Sequence, residues 1–282
     1  MTVIQWYPGH MNKAKNQIQA RLKLVDIVLE IRDARLPQSS RNPLLDQIIG
    51  NKPKIIILNK SDLADPKITQ QWQAYYHRRQ QPIVVIDAQH QAHLPMILTA
   101  IQERLATKIT KYQAIGVKNY TIHAMCLGIP NVGKSTILNK LAGKKIAVTG
   151  NRPGVTKNQN WIHTSHYLDV LDTPGVLWPK IDDQEVAIKL ALSGAIKDSL
   201  LSSLDLANFA WSFWVQHYPQ ILEARYHLSA TELKPNLNLM FEKITATNEA
   251  AGDVEQQARQ IIQAVRQGSW GRFTLDRVTA ND

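Results

Sequence analysis

The stretch Gly-Ile-Pro-Asn-Val-Gly-Lys-Ser-Thr at residues 128–136 decides the fold of this chain. It fits the pattern G-x-x-x-x-G-K-[ST] of a phosphate-binding loop. The preceding residues 120–127 predict a buried strand, and Ile137, Leu138 and Leu141 follow at helical spacing. Between a strand and a helix, such a loop wraps a phosphate with backbone N–H groups and the helix N-terminus. The sequence therefore predicts a nucleotide-binding α/β fold.

The residues of this loop have separate tasks in phosphate binding. The glycines let the backbone approach the anion closely, and Lys134 would reach the β- and γ-phosphates. Ser135 would offer its hydroxyl to Mg²⁺. The predicted nucleotide contacts in this stretch are Asn131, Val132, Gly133, Lys134, Ser135 and Thr136.

A second motif indicates which base the chain binds. A predicted strand ends in Asn59-Lys60-Ser61-Asp62, a sequence that fits an Asn-Lys-x-Asp box. The Asp62 carboxylate can accept hydrogen bonds from guanine N1–H and the exocyclic amine. Adenine offers no such donor pair and would leave the buried carboxylate unpaired, so the motif favours GTP and GDP over ATP.

The next predicted strand, residues 83–86, ends in Asp87-Ala88-Gln89. The N–H group of Ala88 can contact guanine O6, and Asp87 is a further candidate for the base site. GTPases of this type usually have Ser-Ala-Lys here, so Gln89 departs from the pattern and leaves base contacts beyond Ala88 open.

A third motif completes the set at the γ-phosphate. The predicted strand 167–171 runs into Asp172-Thr173-Pro174-Gly175. Asp172 would hold Mg²⁺ through water, and the N–H of Gly175 would sense the γ-phosphate. The polar segment 149–156, broken by Gly and Pro, is typical of a mobile switch loop, and Thr156 is expected to close over Mg²⁺.

The order of the motifs is permuted. In an ordinary GTPase the phosphate loop comes first and the Asn-Lys-x-Asp box last, whereas here Asn59 precedes Gly128. The same sheet can form if the old chain ends are rejoined through residues 107–118. That segment carries no strong apolar pattern, and surface loops tolerate such permutation.

With Trp6-Tyr7-Pro8-Gly9-His10-Met11 at the front and Asp26-Ile27-Val28-Leu29-Glu30 next, this order closely resembles the circularly permuted GTPases of the ribosome biogenesis GTPase A group. The resemblance covers residues 6–178. It implies that the chain hydrolyses GTP, is stimulated by the ribosomal particle, and acts on the large ribosomal subunit precursor (rRNA and ribosomal proteins) in late assembly. It also implies a mostly parallel sheet with helices on both faces.

The length of 282 residues allows two domains, predicted at 1–178 for the GTPase part and 179–282 for a smaller helical part. No run of about 18 apolar residues and no signal peptide is recognisable. The single cysteine, Cys126, excludes an intramolecular disulfide. We therefore expect a cytoplasmic protein without membrane contact, monomeric away from the ribosome.

The formal charge of +10 is unevenly distributed. Residues 1–179 hold 23 Lys and Arg against 10 Asp and Glu, while residues 180–282 hold 10 against 13. Binding to a polyanion such as RNA is therefore predicted in the GTPase part, and a solvated basic face is the alternative. The loop 33–43, with Arg35 and Arg41, could touch phosphate or could be an ordinary surface loop.

In the helical part the pattern predicts helices from Gln184, at 206–218 and at 254–265. The aromatic residues at 209–214 favour a core cluster over a base-stacking platform. The last fifteen residues, from Gly268, are predicted to be frayed. Because the motif at Gly175 runs almost directly into this part, its orientation could report the nucleotide state.

Two positions leave alternatives open. Val176 stands where many GTPases have a Gln that orients the attacking water, so another group must do this. The best internal candidate is His10, which the preceding Pro8-Gly9 favours in a loop; a structural or RNA-contacting role, or a group from the partner, are the alternatives. Asn131 could ligate K⁺ beside the phosphates, or could serve turn geometry.

Three functions from different classes fit these observations. A GTPase switch in ribosome assembly accounts for all the motifs. An RNA-binding protein with a structural nucleotide would lack turnover. A metabolic ATPase conflicts with the Asn59 and Asp62 pair.

Overall fold

The structure is a computed structural model that describes residues 4–5, 9–90, 93–145, 160–164, 167–197, 200–240 and 253–278, with side chains from residue 12 onward. A six-stranded sheet lies at its centre, in the order β4–β3–β2–β5–β7–β6. Neighbouring strands are parallel except β6, which is antiparallel to β7. These strands are β2 (Ile27–Asp33), β3 (Lys54–Asn59), β4 (Ile83–Val85), β5 (Ile122–Leu127), β6 (Trp161–His163) and β7 (Leu168–Leu171).

Two short strands, β1 (Ile4–Gln5) and β8 (Lys180–Ile181), form a separate antiparallel pair. The helices of the GTPase part surround the sheet, and the helices of the helical part follow β8. They are α1 (Gly9–Arg21), α2 (Pro43–Ile49), α3 (Pro66–Arg78), α4 (Pro95–Arg104), α5 (Ala106–Ala114), α6 (Lys134–Leu141), α7 (Gln184–Leu192), α8 (Ser203–His217), α9 (Pro219–Tyr226) and α10 (Val254–Gln267). The predicted α/β class is confirmed.

The permuted order closes into one sheet because β2 lies between the strands that carry the two nucleotide motifs. It pairs in parallel with β3 on one side and with β5 on the other. The carboxyl ends of β3 and β5 therefore lie at the same edge, although 68 residues separate Asn59 from Leu127. Every residue of β2 is buried, as expected for a central parallel strand covered on both faces.

The segment that rejoins the old chain ends was predicted to be a loop, and this was wrong. Residues 106–114 form α5, which Asp26 anchors by accepting hydrogen bonds from Lys108 and Tyr120. Burial raises the pKa of Asp26, but these bonds and the His123 N–H outweigh it and hold the pKa below its ordinary value. The anchor lies more than 80 residues upstream, so the local pattern could not reveal the helix.

The loop 33–43 is also not the exposed basic loop that we expected. Arg35 is 2% exposed and donates two hydrogen bonds to Asp33, at 2.9 and 2.8 Å. The charges of Arg35 and Lys60 outweigh burial and hold the pKa of Asp33 far below its usual range. Arg35 is therefore not available to RNA phosphate, and Arg41 pairs with Asp46 at 2.6 Å.

The helical part shares one continuous apolar cluster with the sheet. Trp211 and Trp214 are completely buried, so they belong to the core and cannot stack on a base. Trp270 contacts both of them, with ring centroids 6.2 and 5.4 Å away. Among the described residues, no helix is long and apolar enough to cross a membrane.

The prediction that the chain frays from Gly268 was wrong. The segment 270–276 returns to the GTPase part, where the Asp276 carboxylate accepts hydrogen bonds from Ser39 N–H and Oγ, both at 2.6 Å. The indole N–H of Trp72 donates to the Asp276 carbonyl oxygen at 3.1 Å. The buried residues of this segment are Trp270, Phe273, Thr274, Leu275 and Asp276.

Replacing Trp270 with Ala should lower the free energy of unfolding by about 3–5 kcal/mol, because it opens a cavity in a closed aromatic cluster. Chemical denaturation measures this. The control Leu239→Ala, at a side chain that is 68% exposed, should stay within about 0.5 kcal/mol of the parent protein. If Trp270→Ala and the control have equal free energies of unfolding, the segment from Gly268 is frayed as the sequence predicted.

Candidate functional site

The phosphate loop lies between β5 and α6, as predicted. Both glycines of this loop are required, because the backbone has a positive φ at each and passes close to a neighbouring segment. A Cβ on Gly128 (φ +155°) would lie 2.4 Å from the carbonyl oxygen of Ile31, and one on Gly133 (φ +93°) would lie 2.2 Å from Nδ2 of Asn59. Neither overlap is tolerable, so the loop depends on glycine to reach β2 and the Asn-Lys-x-Asp box.

Asn59 joins three of the predicted nucleotide loops. Its Nδ2 donates to the Val132 carbonyl oxygen at 2.9 Å, and its Oδ1 accepts from the N–H of Ala88 at 3.1 Å. Asn59 is 3% exposed, so both bonds are shielded from water. The structure therefore brings together the phosphate loop, residues 59–62 and residues 87–88, which the permutation separates in sequence.

At the base end, Lys60 has a left-handed backbone (φ 64°) and its Nζ lies 3.0 Å from Asp33 Oδ2. Burial lowers the pKa of Lys60 below its ordinary value. Asp87 accepts hydrogen bonds from the N–H groups of Gln89 and His90, at 2.9 and 3.1 Å, and forms the turn after β4.

Asp87 also lies 2.6 Å from Nδ1 of His90, and one ligand atom from each of Asp62, Asp87 and His90 falls within 4.8 Å of the others. The predicted base-reading carboxylate is therefore close to the turn that carries Ala88. Asp62 follows β3 and Ala88 follows β4, so the two predicted base contacts lie beyond the ends of neighbouring strands.

At the predicted Mg²⁺ end, Asp172 follows β7 and is 4% exposed. Its Oδ1 is buried and, within the described part of the chain, has no hydrogen-bond partner. Burial raises the pKa of Asp172 to about 6, and burial lowers the pKa of Lys134, whose Nζ donates to the carbonyl oxygens of Gly128 and Ile129 at 3.2 and 2.8 Å. An unpartnered buried carboxylate suits a hard divalent cation.

The chain after Asp172 packs tightly on the phosphate loop. A Cβ on Gly175 would lie 2.7 Å from Pro130 Cα, and the N–H of Val176 donates to the Gly128 carbonyl oxygen at 3.2 Å. The side chain of Val176 is completely buried. This placement agrees with the expectation that Val176 does not orient the attacking water.

Two predicted site residues lie partly or wholly outside the described residues. Thr156 lies outside the residues that the structure describes. The backbone of His10 lies in the first turn of α1, so the expected loop conformation was wrong, and its side chain is outside the described set. Gly9 is the first residue of α1.

Two residues that contact the nucleotide loops, Asn42 and Arg272, were missed by motif reasoning, as was the contact between the predicted Asn131 and Gly194. The side chain of Asn42 donates to the Val176 carbonyl oxygen at 2.6 Å, and Asn131 Nδ2 donates to the carbonyl oxygen of Gly194 at the end of α7. Arg272 donates to two carbonyl oxygens beside Asp62. Only Asn42 gave a signal, as the cap of α2; the contacts of Asn131 and Arg272 join residues more than 60 positions apart in sequence.

Comparison with known proteins agrees with this geometry. Residues 123–243 match a family model described as 50S ribosome-binding GTPase. The chain is 47% identical to ribosome biogenesis GTPase A of Priestia megaterium over 97% of this chain and 96% of the relative, and 43% identical to that of Bacillus cereus over 97% and 94%. The crystal structure of GNP-bound YlqF from T. maritima covers 94% of this chain and 98% of its own, with a TM-score of 0.63 and 25% identity.

The raised pKa of Asp172 predicts that the folding stability of the Mg²⁺-free protein depends on pH. Because its pKa is raised from 3.8 to about 6, the native protein keeps a proton that the unfolded chain releases. The associated stability is present below about pH 4 and is lost as pH rises through 6. Asp172→Asn should therefore be more stable than the parent protein at pH 8, by up to about 3 kcal/mol, and this gain should shrink towards pH 4.5.

Denaturant midpoints at the two pH values, without Mg²⁺ or nucleotide, measure this difference. Glu103→Gln, a change at an exposed carboxylate on α4, is the control. A gain for Asp172→Asn that is the same at both pH values would contradict the assignment of the shift to this carboxyl.

Proposed function

This chain belongs to the ribosome biogenesis GTPase A family, and we propose that it binds the precursor of the large ribosomal subunit and promotes its late maturation. It hydrolyses GTP to GDP, and contact with the ribosomal particle stimulates this reaction. The observation that carries the proposal is the pair of hydrogen bonds of Asn59, which joins the phosphate loop to the loop after β4 and directly precedes the base loop, residues 61–65. A partner that shifts one loop therefore affects the other.

In this proposal each predicted residue acts on a defined part of GTP. Asp62 reads guanine N1–H and the exocyclic amine, while the Ala88 N–H contacts O6. Asn59 and Lys60 hold the base loop in shape. The phosphates lie on the backbone of residues 131–136, where Lys134 exchanges its present carbonyl contacts for phosphate oxygens.

Mg²⁺ would be held by Ser135 and, through water, by Asp172, whose unpartnered Oδ1 supports this assignment. Thr156 completes the set. The ion would neutralise charge that develops on the phosphate oxygens during hydrolysis. The N–H of Gly175, packed against Pro130, is placed beside the phosphate loop and would report the γ-phosphate to the chain that follows.

We further propose a division at residues 178 and 179, with the helical part as the element that follows the nucleotide state. The direct run from Gly175 through Val176 to β8 supports it, as does the bond from Asn131 to Gly194. A change at either position would reorient the helical part relative to the sheet.

Contact with rRNA would use the basic excess of residues 1–179. A cleft of about 560 Å³ opens at the amino ends of β2 and β3, opposite the nucleotide loops. Its cationic lining residues are Lys52, Arg104, Lys108 and Lys111. Only Asp26 in this lining is acidic, and it is already paired with Lys108. A cleft of this charge fits a phosphate backbone.

The attacking water needs a hydrogen-bonding group, since Val176 offers none, and we assign this role to His10. Replacing His10 with Ala should reduce particle-stimulated turnover by about 10²–10⁴-fold. GTP affinity should remain near the parent value, because His10 orients water rather than the nucleotide. Phosphate release with and without purified large subunits, together with nucleotide titration, measures both quantities.

The outcomes of that experiment are distinct. Stimulated turnover in the parent protein and its loss in His10→Ala support the whole proposal. Full stimulation in His10→Ala would assign the catalytic group to the partner. Absence of turnover in the parent protein with every ribosomal particle would favour an RNA-binding module with a structural nucleotide.

A K⁺ ion beside the phosphates is the last part of the proposal. Asn131 has a left-handed backbone (φ 62°), which also suits the turn-geometry alternative. If its amide oxygen ligates K⁺, turnover should be several-fold faster in KCl than in NaCl at equal ionic strength, because the ion adds positive charge where negative charge develops. Asn131→Ala should abolish the difference, and equal rates in the two salts for the parent protein would remove K⁺ from the site.

A further inference from the structure

The loop that carries Asp62 is held from outside the sheet by the carboxyl-terminal segment. We define residues 61–65 as the base loop and residues 272–275 as the clamp. Arg272 spans the base loop, with Nε donating to the Ala64 carbonyl oxygen at 2.9 Å and Nη2 donating to the Ser61 carbonyl oxygen at 2.8 Å. Because the guanidinium donors form a rigid planar fork, the two carbonyl groups on either side of Asp62 are fixed relative to each other.

The clamp holds two further residues of the base loop, one through its backbone and one through a side chain. The N–H of Phe273 donates to the Leu63 carbonyl oxygen at 3.0 Å, and the N–H of Asp65 donates to Oγ1 of Thr274 at 3.2 Å. Phe273 and Thr274 are buried, so these bonds are protected from water. Every residue of the base loop except Asp62 is therefore bound by the clamp.

The packing around the clamp requires its close approach. Gly268 ends α10 with a left-handed backbone (φ +75°), and a Cβ there would lie 2.7 Å from Cδ2 of Leu63. On the opposite side, the N–H of Ser61 donates to the Ile86 carbonyl oxygen at 3.1 Å. The base loop is thus enclosed between the sheet and the end of the helical part.

A second line of contacts runs from the clamp to Lys60 in the motif. The N–H of Leu275 donates to the Arg35 carbonyl oxygen at 2.9 Å, and the Arg35 guanidinium lies over the Phe273 ring at 5.5 Å. Arg35 holds Asp33 through two hydrogen bonds, and Asp33 lies 3.0 Å from Nζ of Lys60. The buried charges of the loop 33–43 therefore connect the clamp to the base motif rather than to RNA.

We propose that Arg272 is a positioning residue for guanine recognition. It keeps the base loop in the conformation that presents the Asp62 carboxylate to the base. A loop that is already ordered binds the nucleotide more tightly, because the binding free energy then does not include the entropy cost of ordering the loop. This rests on the assignment of Asp62 as the base-reading carboxylate and does not depend on ribosome binding.

The coupling is reciprocal. If the clamp raises guanine-nucleotide affinity, then the nucleotide stabilises the docked clamp by the same factor. The helical part also reaches the phosphate end, where Gly194 accepts a hydrogen bond from Asn131. A partner that displaces the helical part would weaken nucleotide binding at both the base and the phosphates.

The test compares GDP and IDP affinities of the isolated full-length protein. IDP lacks the exocyclic amine and makes one of the two hydrogen bonds to Asp62. Arg272→Ala should bind GDP about tenfold more weakly, the equivalent of about one charge-assisted hydrogen-bond contribution. It should lose less affinity for IDP, so the preference for GDP over IDP falls. Arg272→Lys, which keeps the charge but not the fork, should lie between the parent protein and Arg272→Ala.

Arg225→Ala is the matched control, since this exposed arginine of the helical part reaches the carbonyl oxygen of Ser269 but not the base loop. It should bind both nucleotides like the parent protein. GDP affinity in Arg272→Ala equal to that of the control would overturn the proposal. Equal losses for GDP and IDP would also overturn it, because they indicate a general structural effect, and the unfolding midpoint monitors folding directly.

Two additional measurements test separately the base-reading role of Asp62 and the coupling between the clamp and the nucleotide. Asp62→Asn in the same assay tests the base-reading assignment alone: unchanged GDP affinity there removes that assignment whatever Arg272 does. Amide exchange at Phe273 and Leu275 tests reciprocity. GDP should slow their exchange in the parent protein and slow it less in Arg272→Ala, whereas exchange that is insensitive to GDP in the parent protein contradicts the coupling.

Discussion

The amide of Asn59 is the contact on which the nucleotide site depends. It donates to the phosphate loop and accepts from the loop after β4, so one buried side chain fixes three segments. Its space is created by Gly133, where any Cβ would collide with the amide. A buried amide with both ends satisfied is stable, whereas losing either partner leaves a desolvated polar group. The site is therefore a single cooperative unit.

This explains why the chain tolerates its permuted order. The contacts that build the site run through space at the carboxyl edge of the sheet, and none of them requires a particular chain connection. What the permutation had to supply is a connection at the opposite edge, between α4 and β5. The chain builds it as α5, anchored on Asp26 through Lys108 and Tyr120, so the new connection is ordered and basic.

The sequence predicted what short-range patterns encode. The strands, most helices and the residues of the three motifs follow from apolar periodicity and from spacing within a few residues. Two of the failures share one physical cause, which is a distant partner. Residues 106–114 are anchored by Asp26, and the segment from Gly268 is held by Ser39 and Trp72. Polar and mixed segments resemble loops when their partners are far away in sequence, and single-sequence periodicity cannot supply those partners.

These distant contacts join the helical part to the nucleotide site. A frayed terminus would leave the base loop exposed and the helical part connected only through the chain after Gly175. Instead, the terminus closes on the base loop while Gly194 holds the phosphate loop, so the helical part touches both ends of the nucleotide site. Because Asn59 already joins those two ends from within, a force applied to the helical part acts on one connected unit. In the proposed switch, a small rotation of the helical part would change both loops together, so no long mobile segment would be needed to transmit the nucleotide state.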